Sequence, residues 1–235
     1  MSKIRLDHYL FDHQLADSRS LAQRLIMAGE VLVDGQLVLK PSYKIDHLAQ
    51  VKIISGPKFV SRGGEKLEPA LPVFGFSDLS QQICVDVGSS TGGFTDCLLQ
   101  YGAEKVYSID VGYGLLHWKL RNDPRVVVME RTNARNVSHF PDSINLVTID
   151  ASFISLKVLL PVITGWFEGK GDVIALIKPQ FEAGRKEAAK GAGVIRNSEV
   201  HKRILLETLQ FAESLDYFIR GLVLSALKGP KGNIE

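Results

Sequence analysis

Five short apolar runs, Ile83 to Val87, Val106 to Ile109, Val126 to Met129, Leu146 to Ile149 and Val173 to Ile177, recur with stretches between them long enough for helices. Nearly continuous β-rich runs at this spacing are the pattern of strands covered on both faces, so the chain is predicted to form βα repeats around a parallel sheet. A helix over 198–214 and a further strand over Tyr217 to Leu224 extend the pattern. The first sixty residues follow a different grammar. Leu6, Tyr9 and Leu10 share one helix face; Ser18 caps a second helix with Leu21, Leu25 and Ile26 on its apolar side, and Gly29 stops it. Val31-Leu32-Val33, the Asp34-Gly35 turn and Gln36 to Leu39 read as a hairpin, a strand is expected over Ala49 to Ile54, and Ser55-Gly56-Pro57 ends the module. The expected division is a small α+β module over 1–56, a linker over 57–81 and an α/β domain over 82–235.

Composition excludes several classes. With 235 residues, 45% hydrophobic and 23% charged, the chain is far from the composition of disordered proteins. No run approaches the roughly 18–20 apolar residues of a membrane span, since Val158 to Phe167 is short and broken by Pro161 and Gly165. Met1 to Asp7 has no apolar segment behind its charges, so no secretory leader is expected and the predicted compartment is the cytoplasm. Cys84 and Cys97 lack CxxC spacing and read as buried, reduced side chains. The six histidines form no HExxH or Cys/His cluster, so no metal site is predicted. The formal charge is +2, and residues 1–60 hold eight Lys/Arg against six Asp/Glu, which places the whole excess in the N-terminal module. Arg5, Arg19, Arg24, Lys40, Lys44 and Lys52 could form a basic face there that attracts phosphate.

The first strand of the larger domain runs into Asp86-Val87-Gly88-Ser89-Ser90-Thr91-Gly92-Gly93-Phe94 and then a helix, the place where an open α/β sheet binds a nucleotide-like ligand. A GxGxxG fingerprint would need glycine at Ser90, and the GK[ST] of a phosphate loop is absent. Asp86 beside the turn would oppose a pyrophosphate, yet it suits the ammonium and sulfonium of S-adenosylmethionine. Asp110, about 20 residues past the turn, ends the second strand, where a carboxylate can take the ribose hydroxyls of a nucleoside. Gly88-Ser89-Ser90-Thr91-Gly92 also matches the GxSxG nucleophile elbow, with Asp150 and His201 following in hydrolase order. A hydrolase elbow normally follows several strands of the sheet, whereas here only a small module and a linker precede it. Asp150 after the fourth strand and Lys178 after the fifth are expected to face the same crevice.

The ordered set Ser61-Arg62-Gly63-Gly64-Glu65-Lys66-Leu67, Asp86 to Phe94, Ser108 to Gly114, Glu130-Arg131-Thr132-Asn133, Asp150 to Leu156, Lys178 to Glu182 and Gly229 to Glu235 resembles the TlyA, or hemolysin A, family along essentially the whole chain. The resemblance implies a Rossmann-like S-adenosylmethionine-dependent methyltransferase domain, related to the FtsJ-like enzymes, that methylates ribose 2′-hydroxyls of ribosomal RNA. It also implies an RNA-binding module over 1–56 of the kind found in the fourth small-subunit ribosomal protein. The family's lysine, aspartate, lysine, glutamate tetrad falls on Lys66, Asp150, Lys178 and Glu235. Members usually continue past this glutamate into a final strand, whereas this sequence stops there, so either the sequence is trimmed or the tetrad's last member sits on a frayed terminus with a competing α-carboxylate. The cofactor is expected to contact Asp86, Gly88, Ser89, Gly92, Gly93, Phe94, Asp110, Asn133 and Asp150. Arg5, Arg19, Lys40 and Arg62 are expected to grip structured RNA through its shape and phosphates, in ribosomal subunits, with the protein a monomer.

A ribose hydroxyl is a weak nucleophile at neutral pH, so a base at hydrogen-bonding distance helps its transfer chemistry. Lysine can be that base only when neutral, and desolvation with a second ammonium nearby favours this, while neighbouring carboxylates oppose it. The expected assignment has Lys178 acting on the hydroxyl and Lys66 and Asp150 positioning it, with Ser61 to Lys66 coupling RNA docking to assembly of the pocket. Two other readings are an RNA-binding regulator that holds the cofactor without turnover and a membrane-active cytolysin, for which the sequence offers no long cationic amphipathic helix.

Overall fold

A computed structural model of the chain describes residues 3–54, 57–229 and 231–235, without the side chains at 185, 186 and 190. The chain divides into two units, residues 1–58 and 59–235. In the first, β1 (Ile4–Arg5) leads straight into α1 (Leu6–Asp12), followed by α2 (Arg19–Met27). Ser18 Oγ accepts the Leu21 N–H at 3.1 Å, which satisfies one of the orphan donors at the start of α2. β2 (Val31–Val33) pairs antiparallel with β3 (Gln36–Leu37) and β5 (Val51–Ile53), and β4 (Lys44–Ile45) pairs with β1. Asp34 and Gly35 have φ of 49° and 79°, the doubly positive turn whose twist matches a two-residue hairpin. Leu6, Leu10, Ala22, Ile26, Val31 and Ile45 form the core, with Leu21 and Leu25 only partly covered. Ser55 and Gly56, where the module was expected to end, lie outside the described residues.

The second unit is built on β6 (Ile83–Val87), β7 (Lys105–Ile109), β8 (Val126–Met129), β9 (Leu146–Ile149) and β10 (Asp172–Ala175), all parallel, in the order β10-β9-β6-β7-β8. Its helices are α3 (Gly64–Leu67), α4 (Ala70–Val73), α5 (Gly93–Gln100), α6 (Trp118–Arg121), α7 (Leu156–Thr164), α8 (Pro179–Glu182), α9 (Arg185–Lys190) and α10 (Ser198–Glu213). Alternation along β6 sends Val85 and Val87 to a core with Leu156, Leu160 and Ile163 of α7, and Cys84 to a second core with Leu98 of α5. The strand order reverses between β6 and β9, which creates a crevice at their carboxyl ends.

Two expectations are corrected. Residues 59–81 are no linker: Phe59, Leu67, Leu71 and Leu79 are buried in the same core as Cys84 and Leu98, so this segment folds as part of the sheet domain. Tyr217 to Leu224 is no strand. Its residues alternate between half-buried and exposed as a strand would, but a ladder needs a partner, and β10 pairs with β9 alone. A cavity of about 800 Å³ is lined by both β10 and residues 217–225. β10 itself stops at Ala175, two residues short of the expected Ile177.

Candidate active site

The turn after β6 is held by backbone contacts that tolerate no side chain. Gly88 has φ of 84°, and a Cβ there would lie 2.9 Å from Ala151 Cα and 3.0 Å from the Asp150 carbonyl, so the loops leaving β6 and β9 touch backbone to backbone at the crevice. Gly88 and Ser89 both donate N–H groups to the Ile109 carbonyl. Asp110 binds the turn from the next strand: Oδ2 accepts the Ser90 N–H at 2.8 Å and Oδ1 the Gly112 N–H at 2.7 Å. Thr132 N–H in turn donates to the Asp110 carbonyl, which brings Asn133 to the same edge, where its Oδ1 accepts the Arg135 N–H. Gly88, Ser89, Gly92, Gly93, Asp110, Asn133 and Asp150 therefore lie along one edge of the sheet, on loops after β6, β7, β8 and β9.

Two expected cofactor contacts have other roles. Phe94 is buried in the core with Leu67 and Leu98, because it is the first inward position of α5. Asp86 has no exposed surface. Its Oδ2 accepts the Thr95 N–H at 2.9 Å and the Thr95 hydroxyl at 2.7 Å, and Thr95 Oγ1 also meets Ser108 Oγ. Its Oδ1 has no hydrogen-bond partner. Asp86 thus braces the turn from below. Burial, the largest cause, with the nearby charges of Asp150 and Asp110, pushes the carboxyl up to about 7 against the opposing Thr95 bonds. Asp110 and Asp150, joined by Asp86 only as it ionises, suit a cationic ligand better than a pyrophosphate.

A folded pKa above the unfolded value means that the native state holds the extra proton, so stability declines as pH rises from about 4 through about 7. Between pH 5 and 8 the urea midpoint of Asp86→Asn is expected to fall less steeply than that of the unsubstituted protein, the difference amounting to a few kcal/mol at most. Parallel curves for the two proteins would show that Asp86 is ionised throughout.

The tetrad residues meet as two ion pairs linked through α8. Lys178, the N-cap of α8, places Nζ 2.6 Å from Asp150 Oδ1 and donates to the Asp150 carbonyl and Ser152 Oγ, each at 3.1 Å. Two residues on, Gln180 Nε2 donates to Glu235 Oε1 at 3.1 Å. Glu235 Oε2 lies 2.5 Å from Lys66 Nζ. The glutamate expected on a frayed end instead has a side chain only 1% exposed, and its carbonyl accepts the Ser225 N–H. Pro230, within the expected Gly229 to Glu235 motif, lies outside the described residues.

Lys66 reaches this network because glycines let two backbones close on each other. A Cβ on Gly93 would come within 2.7 Å of Gly64 N and 2.9 Å of Gly63 Cα, so the start of α3 rests directly on the start of α5. Sequence reasoning missed Gln180, Ser152 and Phe153. The last of these had a signal only in part, as an aromatic three residues past Asp150. Its exposure of 91% and its φ of 65° are properties of the folded loop, and a positive φ is a strained conformation for an aromatic residue. Its ring faces Phe181 at 5.1 Å.

In the N-terminal unit, Arg5 and Arg19 converge on Asp7. Arg5 makes a two-pronged contact to the Asp7 carboxylate at 2.9 Å, and Arg19 approaches to 3.8 Å. Asp7 is buried, and Arg5 with Gln23 holds its carboxyl well below the usual range. Part of the arginine charge is therefore used internally, while both side chains keep an exposed surface. Lys40 is exposed on this unit, and Arg62 is exposed on the other.

Residues 59–235 match the FtsJ-like methyltransferase family, and residues 4–51 match the S4 domain. The chain belongs to the FtsJ-like methyltransferase family. Among curated relatives, this FtsJ-like protein is 46% identical to YqxC of Bacillus subtilis over 99% of its own length and 84% of the relative's. It is 41% identical to the 16S/23S rRNA (cytidine-2′-O)-methyltransferase TlyA of Mycobacterium tuberculosis, over 99% of this chain and 88% of that one. A solved hemolysin-family structure from Streptococcus thermophilus superposes with a TM-score of 0.73 at 41% identity, covering 100% of this chain and 86% of that one. Identity at this level along nearly the whole length makes the FtsJ-like protein a member of the TlyA, or hemolysin A, group. Among its described residues no helix is long and apolar enough to cross a membrane.

Proposed function

We propose that this protein is an S-adenosylmethionine-dependent methyltransferase that methylates ribose 2′-hydroxyls of cytidine in ribosomal RNA. The observation that carries the reading is the pairing of two lysines with two carboxylates, joined through α8, at the C-terminal edge of a parallel sheet and beside a glycine turn set among three carboxyl groups. The donor fits this crevice because its charge is positive where the protein's is negative. When bound, it supplies the methyl group on a cationic sulfur. Residues 88–93, Asp110 and Asn133 would hold it.

The chain's own part is to position the hydroxyl and move its proton. Lys178 Nζ is paired with the Asp150 carboxylate and donates to the Asp150 carbonyl and Ser152 Oγ, which fix the amine at the crevice. Lys178 Nζ would take the 2′-hydroxyl proton, with Asp150 beside it to stabilise the resulting ammonium; the bound donor would supply the methyl group, its carbon–sulfur bond breaking with the electron pair left on sulfur. Lys66, fixed by Glu235, orients the ribose. Phe153 supplies a stacking face for an RNA base beside the reacting sugar, since an exposed ring accepts any base. Phe153→Ala is expected to raise the KM for RNA by about 5- to 100-fold, from the ~1–3 kcal/mol of a base stack, with cofactor affinity unchanged; an unaltered KM would remove the stacking role.

The deciding test is nucleotide-resolution mapping of 2′-O-methylation in ribosomes from cells with and without this protein, with calorimetry of S-adenosylmethionine binding to the purified chain. Loss of specific cytidine methylations is the expected result. Binding without any transfer of label would instead identify a cofactor-holding regulator, and no binding, with or without ribosomal subunits, would overturn the proposal.

A further inference from the structure

A groove of about 780 Å³ opens on the sheet domain between residues 194–198, the first turns of α10 and Lys228, Lys231, Gly232 and Ile234. Its floor is apolar, with Leu205, Leu209, Leu222 and Ile234. Its walls carry Arg196, Lys202, Lys228 and Lys231, and among the described residues no carboxylate lines it. All four cations are exposed, and among the described residues none has an ion-pair partner. By contrast, Lys66, Lys105, Arg121, Lys157 and Lys178 each sit against a carboxylate. Four unpaired positive charges around one concavity repel each other, a cost that a bound polyanion relieves.

The groove is also rigid. Asn233, 2% exposed, accepts the Ile195 N–H through Oδ1 and donates from Nδ2 to the Gly193 carbonyl, both at 2.9 Å. Its carbonyl accepts the Gly229 N–H. One buried side chain therefore clips the two walls together. Ile234 of this wall is followed by Glu235, which enters the Lys66 and Gln180 network.

We propose that this groove binds the phosphate backbone of the RNA segment flanking the methylated nucleotide, with leucines beneath it taking the face of a ribose or base. The assignment rests on the methyltransferase reading for its choice of RNA over other polyanions, because Ile234 in its lining directly precedes Glu235 of that site in the chain. It adds a sequence-independent grip on the sheet domain to whatever the S4 domain contributes. Contacts of this kind set register and affinity and do not read bases.

The test is a full-length variant with Arg196→Ala, Lys202→Ala, Lys228→Ala and Lys231→Ala, all at exposed positions outside the catalytic network, checked for an unchanged melting temperature. Fluorescence anisotropy with a labelled single-stranded rRNA fragment, from about 50 to about 300 mM salt, should show the slope of log K against log salt falling by about 3, since each phosphate contact on a single strand contributes ~0.7. Affinity should drop at least about tenfold at the low-salt end. In methyl-transfer assays the KM for RNA should rise while kcat at saturating RNA and calorimetric S-adenosylmethionine affinity hold. An unchanged salt slope overturns the proposal, and so does competition by poly-glutamate as effective as that of single-stranded RNA of equal charge. The anisotropy readout needs no turnover, so a groove-dependent slope in a protein that transfers no methyl group supports the groove and removes only the methyltransferase reading.

Discussion

Replacing Lys178 with alanine is expected to lower methyl transfer by about 10²–10⁴-fold in kcat, the range for loss of a positioned acid or base. Affinity for S-adenosylmethionine should stay within a fewfold, because the glycine turn and Asp110 are built from other strands. Lys178→Arg separates two roles that alanine cannot. If the amine takes the hydroxyl proton, arginine fails as completely as alanine, since a guanidinium remains charged at any working pH. If Lys178 serves only as a fixed positive charge beside Asp150, arginine restores much of the activity. The expected result is failure of both variants. Removing Lys178 leaves Asp150 without its partner, but that carboxylate is 21% exposed, so water can solvate it and the variant should fold. A melting temperature close to that of the unsubstituted protein, combined with full activity in Lys178→Ala, would exclude the residue from the chemistry.

Gly93→Ala should be nearly as damaging, for a geometric reason. The added methyl group would meet Gly64 N at 2.7 Å and Gly63 Cα at 2.9 Å, and backbone cannot rotate out of the way as a side chain can. α3 must shift or tilt off α5. Lys66 is two residues beyond Gly64 and is held at 2.5 Å to Glu235, so a displacement of the helix start carries the amine with it. Misplacement by about 1 Å typically costs on the order of 10² in rate, and overpacking of this kind destabilises by about 1–3 kcal/mol. The expected outcome is a kcat reduced about 100-fold with a modest fall in melting temperature. The double variant Ser61→Ala with Gly93→Ala should recover little, because Ser61 supplies only the movable part of the obstruction. Full recovery in the double variant would show that the backbone contact is loose.

The parallel sheet was legible because its signal is local: four of the five strands begin and end within one residue of the apolar runs that mark them, and only β10 closes early. What failed was anything decided by a partner. Tyr217 to Leu224 has the alternation of a strand and no edge bonded to it. Residues 59–81 looked like a connection because α3 and α4 are four residues each, too short for a helical period to register, although Phe59, Leu67, Leu71 and Leu79 are core. At the site, the resemblance named four residues but not their pairing, Lys66 with Glu235 and Lys178 with Asp150. Asp86 shows the same limit. Its charge was readable, yet nothing in Ile83 to Val87 distinguishes a carboxylate that touches a ligand from one walled in by Thr95 and Ser108.

The Lys66 and Glu235 pair is separated by 169 positions, and this has a consequence for how the protein comes into being. At a translation speed of about 5–20 residues per second, roughly 10–30 s pass between the exit of the lysine from the peptidyl transferase centre and that of its carboxylate. During that interval the sheet and the cofactor-side turn are made, while the clasp that fixes the reacting edge is still missing. Biosynthesis therefore acts as a timer: the two ends of this clasp can meet only after that distant carboxylate has been added.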